Sequence, residues 1–261
     1  MLMSMKELMG FKIQAKDGEI GDVDDFFFED DEWATRYMVV QTRPWIFGKK
    51  VLLSVLALGN PDRKEKVFPV SLTRKQVKES PDIDVQKPVT RRQEVRLHNH
   101  YGWMTYWGSL PGNPGSMVLG PPPSSAMETT VEETGEDELA REPELEQDDY
   151  GDPDLQSARD VFGYTIQARD GEIGHLADFL VDETWVIRYM IIDTRDWLPG
   201  KEVLVPPTWV KSINSEDSEF EVDLSRETVQ NSPEYNPVEP VNREYETTLY
   251  EHYGRPKYWE E

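Results

Sequence analysis

Short apolar runs separated by turn residues dominate the first hundred residues of the chain, and the same pattern returns in the last hundred. Asp17-Gly18 and Asp170-Gly171 are hairpin signals, because glycine tolerates the positive φ that tight turns require. Short, closely spaced strands of this kind predict a small barrel rather than a parallel sheet. The strands predicted after the hairpin turns cover residues 23–28, 36–42, 50–53 and 67–70, and then 176–181, 188–194, 202–205 and 220–224.

Two short helices are predicted after the strands of each half. Thr73 and Gln76 have the spacing of a capping box, and Leu72 and Val77 have that of the hydrophobic staple that accompanies it. The predicted N-caps are Thr73, Thr90, Ser225 and Asn242. The predicted fold is therefore mainly β with short helices, as two tandem small β-barrels, each followed by a C-terminal helical segment.

The two halves are copies of one sequence. Residues 10–21 return as residues 163–174, and the offset of 153 drops to 152 before Trp33 and Trp185. Between Gly10 and Trp107, 39 of 98 residues are identical in the two copies. A match over a whole module indicates an internal duplication. The predicted domains are copy 1 at residues 1–107 and copy 2 at residues 158–261.

Residues 108–157 join the copies and have a different composition. They contain three consecutive prolines at 121–123 and thirteen acidic residues against one basic residue, Arg141. Such a segment buries too little apolar area to offset its chain entropy, so it is predicted to be a disordered acidic linker. A role of its charge in binding cations or in mimicking an acidic ligand stays open.

Charge and residue types narrow the function classes. The three segments carry net charges of +1, −12 and −12, which sum to the −23 of the chain. Nucleic-acid binding is therefore not expected, except by copy 1, because two segments would be repelled by phosphates. The chain has no cysteine, which excludes disulfides and thiolate metal ligands and fits a cytoplasmic protein. No apolar stretch approaches a transmembrane length or a signal peptide, so a soluble, non-exported protein is expected.

The motifs shared by the copies resemble the PRC-barrel family. The matching features are the opening Gly-aromatic-x-Ile-x-Ala-x-Asp-Gly-Glu-Ile-Gly, the Trp-x-x-Arg-Tyr-Met run, the Gly-Lys before the fourth strand and the closing His-Tyr-Gly with Tyr-Trp. The resemblance covers both copies almost completely and leaves out the linker and the first few residues. It implies a small β-barrel like those of photosynthetic reaction-centre H subunits and of a ribosome-maturation factor, and a binding or assembly module without catalytic residues. The chain lacks the transmembrane helix of the former and the separate N-terminal domain of the latter, so neither role transfers.

Metal binding has two candidate sets of residues. His98 and His100 are spaced so that they could converge on one ion, but Tyr250 replaces His98 in copy 2, and a structural role at a helix end is the favoured interpretation. The second candidate is an acidic cluster, which copy 2 keeps only in part and which lacks the spacing of a calcium loop. A solvated strand edge that resists edge-to-edge pairing is the favoured interpretation. The cluster consists of Asp22, Asp24, Asp25 and residues 29–32, with Asp178, Asp182 and Glu183 remaining in copy 2.

Recurring arginines and aromatic residues are candidates for partner contacts. The arginines could bind carboxylates of a partner, but pairing with Asp25/Asp178 or Glu94/Glu246 within the chain is favoured. Trp33 and Trp185 are predicted to lie in the core. The recurring arginines are Arg36/Arg188, Arg43/Arg195 and Arg91/Arg243, and the candidate partner-contact residues are Trp45, Trp197, Tyr101, Tyr253, Trp107 and Trp259. No cofactor motif accompanies these residues, so no cofactor is expected.

The leading functional hypothesis is a non-enzymatic scaffold that binds protein partners through two similar faces. Copies of about one hundred residues have only marginal cores, so they are predicted to pack together within the chain or as a homodimer. The segments predicted to meet include Leu97/Leu249 and the aromatic tails. Folding of each tail on its own barrel is the alternative. A ribosome-assembly role and a metal-binding or enzymatic role are the competing hypotheses.

Overall fold

The computed structural model describes residues 2–43, 49–85, 87–107, 153–195 and 201–260. The chain divides into two compact units, Met1–Pro88 with Asp154–Glu261 and, separately, Val89–Pro153. The first unit contains strands of both copies. The helical segment that closes copy 1 belongs to the second unit. Trp45, Trp197 and residues 108–152 of the predicted linker lie outside the described residues.

The two copies have parallel successions of strands and helices. Copy 1 contains β1 (Met3–Ser4), α1 (Met5–Leu8), β2 (Lys12–Ala15), β3 (Gly18–Glu29), β4 (Ala34–Thr42), β5 (Lys50–Ser54), β6 (Val67–Pro69), α2 (Arg74–Lys78) and α3 (Arg91–Tyr101). Copy 2 contains β7 (Leu155–Ser157), α4 (Ala158–Val161), β8 (Thr165–Ala168), β9 (Gly171–Val181), β10 (Ile187–Asp193), β11 (Glu202–Val205), β12 (Val210–Asn214), β13 (Glu219–Val222), α5 (Arg226–Gln230) and α6 (Arg243–Tyr253). The predicted main strands are thus observed, and β7 lies in residues that were predicted to be linker.

The strands of the first unit form two mixed sheets. The first has the order β5-β4-β3-β2-β6, and the second has the order β11-β10-β9-β8-β13-β12. The pairs β2/β6 and β8/β13 are parallel, whereas the other pairs along these two orders are antiparallel. The hairpins β2/β3 and β8/β9 turn at the predicted Asp-Gly positions. Each copy therefore contributes the body of one sheet.

The predicted tandem closed barrels are not confirmed, because the described strands form two open mixed sheets. In copy 1, β5 and β6 stand at opposite ends of the strand order. After β5 the chain forms a 3-10 helix at Val55–Ala57, in which the Leu58 backbone N–H donates to the Val55 carbonyl. An isolated bridge between Leu58 and Val70 then takes the place of a continuous ladder.

Two glycines of the repeated Asp-Gly-Glu-Ile-Gly motif are required by close contact between strands. A Cβ at Gly21 would lie 2.1 Å from the carbonyl oxygen of Gln41, and one at Gly174 would lie 2.0 Å from that of Asp193. Such distances are far inside van der Waals contact. Glycine at these positions therefore lets β3 approach β4, and β9 approach β10.

The helices begin at the predicted caps. Thr73 and Thr90 each form a complete capping box, with Gln76 and Gln93 respectively. Ser225 and Asn242 cap α5 and α6 through single side-chain acceptors. Within the described part of the chain, no helix is long and apolar enough to cross a membrane.

Candidate functional site

The two copies meet through short arms that they exchange. We call β1 with α1 the first arm and β7 with α4 the second arm. The first arm belongs to copy 1 but pairs with β9 of copy 2, where Met3 lies opposite Val181. The second arm belongs to copy 2 but pairs with β3 of copy 1, where Ser157 lies opposite Phe27. Each copy thus completes the sheet of the other.

A buried aspartate fixes each arm. Asp25 is 6% exposed and accepts hydrogen bonds from the Ser157 hydroxyl at 2.5 Å and from the Arg159 backbone N–H at 3.0 Å. Asp178 is 8% exposed and accepts from the Ser4 hydroxyl and from the Lys6 backbone N–H at 3.0 Å. Each of these serines also caps the helix of its arm. The arms are therefore held by the same contacts in both directions.

Burial shifts the pKa of these two aspartates. Loss of hydration raises the pKa of Asp25 and of Asp178 above the usual value, although the hydrogen bonds from the arms favour the ionised form and oppose the increase. The Ser4 hydroxyl donates to Asp178 and accepts from the Glu7 backbone N–H. It therefore binds the aspartate and caps α1 at the same time.

Two tryptophans cross between the copies at the centre of this junction. Trp33 of copy 1 lies with its ring centroid 6.3 Å from that of Phe179 and 6.5 Å from that of Phe220, both in copy 2. Trp185 of copy 2 lies 5.7 Å from Phe26 and 5.7 Å from Phe68 of copy 1. The tryptophans are 7% and 8% exposed. The predicted core position of both is confirmed, and the core that each enters belongs in part to the other copy.

The backbone supports both tryptophans in an uncommon conformation. Trp33 has a φ of 53° and Trp185 a φ of 66°, values that bulky residues seldom adopt. The Thr35 N–H donates to the Trp185 carbonyl at 2.8 Å, and the Ile187 N–H donates to the Trp33 carbonyl at 2.7 Å. These two hydrogen bonds join the copies directly and flank an antiparallel bridge between residues 34 and 186.

The recurring arginines pair within the chain, but only partly with the predicted acids. Arg91 and Arg243 pair with Glu94 and Glu246 as predicted, at 2.5 and 3.0 Å. The other predicted acids, Asp25 and Asp178, accept hydrogen bonds from the arms instead. The remaining pairs are Arg36 with Glu29 and Glu32, Arg188 with Asp182, Arg43 with Glu19 and Asp22, and Arg195 with Asp193.

The candidate metal residues are engaged in other contacts. In the segment that closes copy 1, His98 Nδ1 lies 2.9 Å from the carbonyl oxygen of Met104, and the His98 ring packs on Trp107 at 4.8 Å. The acidic cluster of copy 1 is partly neutralised, since Asp24 pairs with Lys50 at 2.7 Å. Among the described residues, no group of three or more histidine or carboxylate side chains is placed to hold a metal ion.

The four candidate partner-contact aromatics among the described residues lie in two similar clusters. In copy 2, the buried Tyr253 ring packs on Trp209 at 4.7 Å, and the Arg243 guanidinium lies 4.0 Å from the centroid of Trp259. In the segment that closes copy 1, Tyr101 stacks on Trp103, and Arg91 lies 4.3 Å from the centroid of Trp107. These aromatic contacts of the copy 2 tail are with its own copy, as in the alternative interpretation in which a tail folds on its own module.

A groove of about 970 Å³ runs along the junction on one side. Copy 1 lines one wall with residues of the first arm and with Arg63, and copy 2 lines the other with β9, β10, β11 and residues 235–241. Five carboxylates and three basic side chains line the groove, together with His175. They are Glu7, Asp178, Asp193, Glu202, Glu239, Lys6, Arg63 and Arg195.

Neither the arms nor the groove was predicted from the sequence. A signal for the arms was present, because the repeat extends before Gly10: Ser4 corresponds to Ser157, and Lys6 to Arg159, at the same offset of 153. The two serines also have the character of N-caps. The groove has no comparable signal, since its walls come from distant segments of the chain.

Comparison with known proteins gives one result for the second copy. The family model of the PRC-barrel domain matches residues 153–229, in the second copy, and this is the family that the motifs of both copies resemble. The match includes the second arm and ends within α5. The chain has no significant match among curated proteins.

Proposed function

We propose, on the premise that the second copy is a PRC-barrel domain, that the chain is a non-enzymatic protein-binding scaffold of the cytoplasm. The family suggests a general interaction or assembly module. The two copies act as one paired unit, so the partner meets a composite surface rather than two independent modules.

The exchange of arms is the observation that carries this proposal. Each arm buries apolar side chains against the other copy, with Met5 and Leu8 in α1 and Ala158 and Val161 in α4 all buried. Fusion in one chain raises the effective concentration of the copies for each other to the order of millimolar. A joint of this kind gives a rigid surface whose residues come from both copies.

Pairing within one chain can be tested by a disulfide, because the chain has no native cysteine. Residues 34 and 186 face each other between two flanking hydrogen bonds, as in a non-hydrogen-bonded antiparallel pair with a Cα separation of about 4.5 Å. This separation suits a disulfide. We expect the Ala34→Cys/Val186→Cys variant to oxidise to a cross-linked monomer. A cross-linked dimer would show exchange between chains, and failure to cross-link would refute the pairing.

Partner binding can then be tested with the full-length chain. A partner captured by the native protein is purified and titrated by calorimetry against the native chain, the oxidised cross-linked variant, Trp33→Ala and the surface control Glu216→Gln. We expect the native, cross-linked and control proteins to bind equally and the folded Trp33→Ala variant to bind at least about tenfold more weakly. Full binding by Trp33→Ala, loss of binding on cross-linking, or absence of any stoichiometric partner would contradict the proposal.

The ribosome-assembly role and the metal-binding or enzymatic role, the two competing hypotheses from the sequence, stay predictions. Co-sedimentation with ribosomal subunits at low salt tests the ribosome-assembly role, and the acidic charge of copy 2 leads us to expect none. Elemental analysis of the purified protein tests the metal-binding role of His98 and His100.

A further inference from the structure

We propose that the groove beside the first arm binds a basic, extended segment of a partner protein. This inference rests on the proposed function, because the groove has walls from both copies. Three features of the groove indicate the chemistry of the partner. They are the ion pairs that copy 2 lacks there, the charge of the groove and its rim.

At the place in copy 2 that lines the groove, an ion-pair network of copy 1 has no counterpart. In copy 1, Asp24 binds Lys50 at 2.7 Å and the guanidinium of Arg159, from the second arm, at 3.1 Å. This network ties the second arm to β3 and β5. In copy 2 the residues at the positions of Asp24 and Lys50 are Ala177 and Glu202, so the same bridge cannot form.

The first arm also places its basic residue differently. Lys6 occupies the position of Arg159, and its ammonium lies 4.6 Å from the centroid of the Phe162 ring. A cation held over an aromatic face is stabilised there by the ring quadrupole. Copy 2 has Ala177 at the position of Asp24, so Lys6 has no carboxylate there to bind, whereas Arg159 binds Asp24 in copy 1.

The charge that remains favours a cationic ligand. Two of the three basic side chains in the groove are already neutralised by its own acids, since Arg63 pairs with Glu7 at 3.0 Å and Arg195 pairs with Asp193 at 2.8 Å. Glu202 forms no ion pair with any described residue. Charge complementarity across an interface mainly gives specificity and association rate. A lysine or arginine of a partner can pair with Glu202, the residue that stands at the position of Lys50.

The rim of the groove suits an extended chain. Val238 is 85% exposed and stands between Pro237 and Pro240, at the edge of the groove. Proline fixes the backbone φ, so this rim needs little further ordering on binding. The volume of about 970 Å³ lies near the upper end of the roughly 300 to 1,000 Å³ of small-molecule sites, which leaves room for several residues of a peptide.

The test uses a phage library of random decapeptides selected on the full-length chain. Enriched peptides are synthesised with a fluorescent label, and their dissociation constants are measured by anisotropy near physiological salt. We expect enriched peptides to contain several lysines or arginines among apolar residues. Replacement of these basic residues by glutamate should abolish binding.

The decisive variant gives copy 2 the residues of copy 1. Ala177→Asp/Glu202→Lys rebuilds the bridge across the groove and should weaken peptide binding at least about tenfold. Glu216→Gln, in an exposed turn of the same copy, changes the net charge by the same +1 and should leave binding unchanged. Asp24→Ala/Lys50→Glu removes the bridge of copy 1 and should not reduce binding to the groove of copy 2.

Each other outcome would overturn the inference. Enrichment of peptides that are not basic, equal binding by Ala177→Asp/Glu202→Lys, or equal losses in this variant and Glu216→Gln would show that the groove is not a specific basic-peptide site. Failure to enrich any peptide would do the same. The cross-linking experiment and the partner titrations test the proposed scaffold function independently. A negative peptide-binding result would therefore overturn this inference without overturning the scaffold function.

Discussion

The junction between the copies and the surface beside it differ in how closely the two copies agree. At the junction, Asp25 and Asp178 bind the arms through the same donors, and Trp33 and Trp185 insert reciprocally. Beside the junction the copies differ, because Asp24 of copy 1 is bridged to Lys50, whereas its counterpart Ala177 in copy 2 lines the groove. The duplicated modules thus share the contacts that pair them and differ where a partner can bind.

The largest effect is expected from the tryptophans at the junction. Replacement of Trp33 or Trp185 by alanine should lower the free energy of unfolding by about 3 to 5 kcal/mol, because each ring fills a core shared by both copies. Urea denaturation of the two full-length variants measures the loss. Similar values are expected for the two sites, and a large loss at only one of them would contradict a reciprocal junction.

The backbone of the same residues gives a sharper comparison. Because Trp33 has a positive φ, alanine there keeps a strained conformation that glycine adopts without cost. Trp33→Gly should therefore be less destabilised than Trp33→Ala, by about 1 to 2 kcal/mol. A glycine variant that is equally or less stable than the alanine variant would argue against the left-handed conformation.

Local features of this fold could be predicted from the sequence, whereas closure and pairing could not. Glycines at hairpin turns and hydroxyl residues three positions before a capping partner determine conformation through contacts a few residues apart, so β2/β3 and α2 are observed as predicted. The ends of a sheet depend on residues far apart in the chain. The 3-10 helix after β5 and the parallel pairing of β6 with β2 gave no periodic signal, and the closed barrel was predicted in their place.

The candidate site was predicted in its parts but not in its arrangement. Asp25 and Asp178 were predicted as one of two recurring pairs of acids that could bind arginines, but the arms bind them instead. Side-chain charge is visible in a sequence, and a free helix N–H is not. Trp33 and Trp185 were predicted as core residues, but the sequence does not tell whose core they enter. The groove could not be predicted, because Arg63 and residues 235–241 are brought together only by the pairing of the copies.

The buried aspartates should make the junction sensitive to pH. Burial raises the folded-state pKa of Asp25 and Asp178, so between the unfolded and folded pKa values the folded chain binds more protons than the unfolded chain. This contribution to stability is greatest at acidic pH and falls as pH rises through the folded pKa values. Asp25→Asn/Asp178→Asn should lack it.

Urea denaturation of the native chain and of this double variant over acidic to neutral pH measures the effect. The stability of the native chain relative to the variant should decrease as pH rises. An increase with pH would mean that the hydrogen bonds from the arms, rather than burial, dominate the pKa values of these carboxylates.

The hydroxyl contacts of the arms should contribute less than the tryptophans. Ser157→Ala removes a donor to Asp25 and the cap of α4, and Ser4→Ala does the same for Asp178 and α1. Each should cost about 1 kcal/mol in unfolding free energy. Ser212→Ala, on the exposed face of β12, is the control and should change stability by less than about 0.5 kcal/mol. Unequal losses from the two arms would show that the exchange is energetically one-sided.

The smallest effect on stability is expected from the ion pairs of Asp24, which copy 1 has and copy 2 lacks. Asp24→Ala removes the contacts to Lys50 and Arg159, whose side chains are partly exposed, so a loss of about 0.5 to 1 kcal/mol is expected, and added salt should reduce it.

In copy 2, Ala177→Asp alone places a carboxylate near Glu202 and should not stabilise the chain. Combined with Glu202→Lys, it should show a favourable coupling of similar size in a double-mutant cycle. The coupling should shrink at high salt, because it is electrostatic. Zero coupling at low salt would show that the difference between the two faces does not arise from the exchange of these two residues.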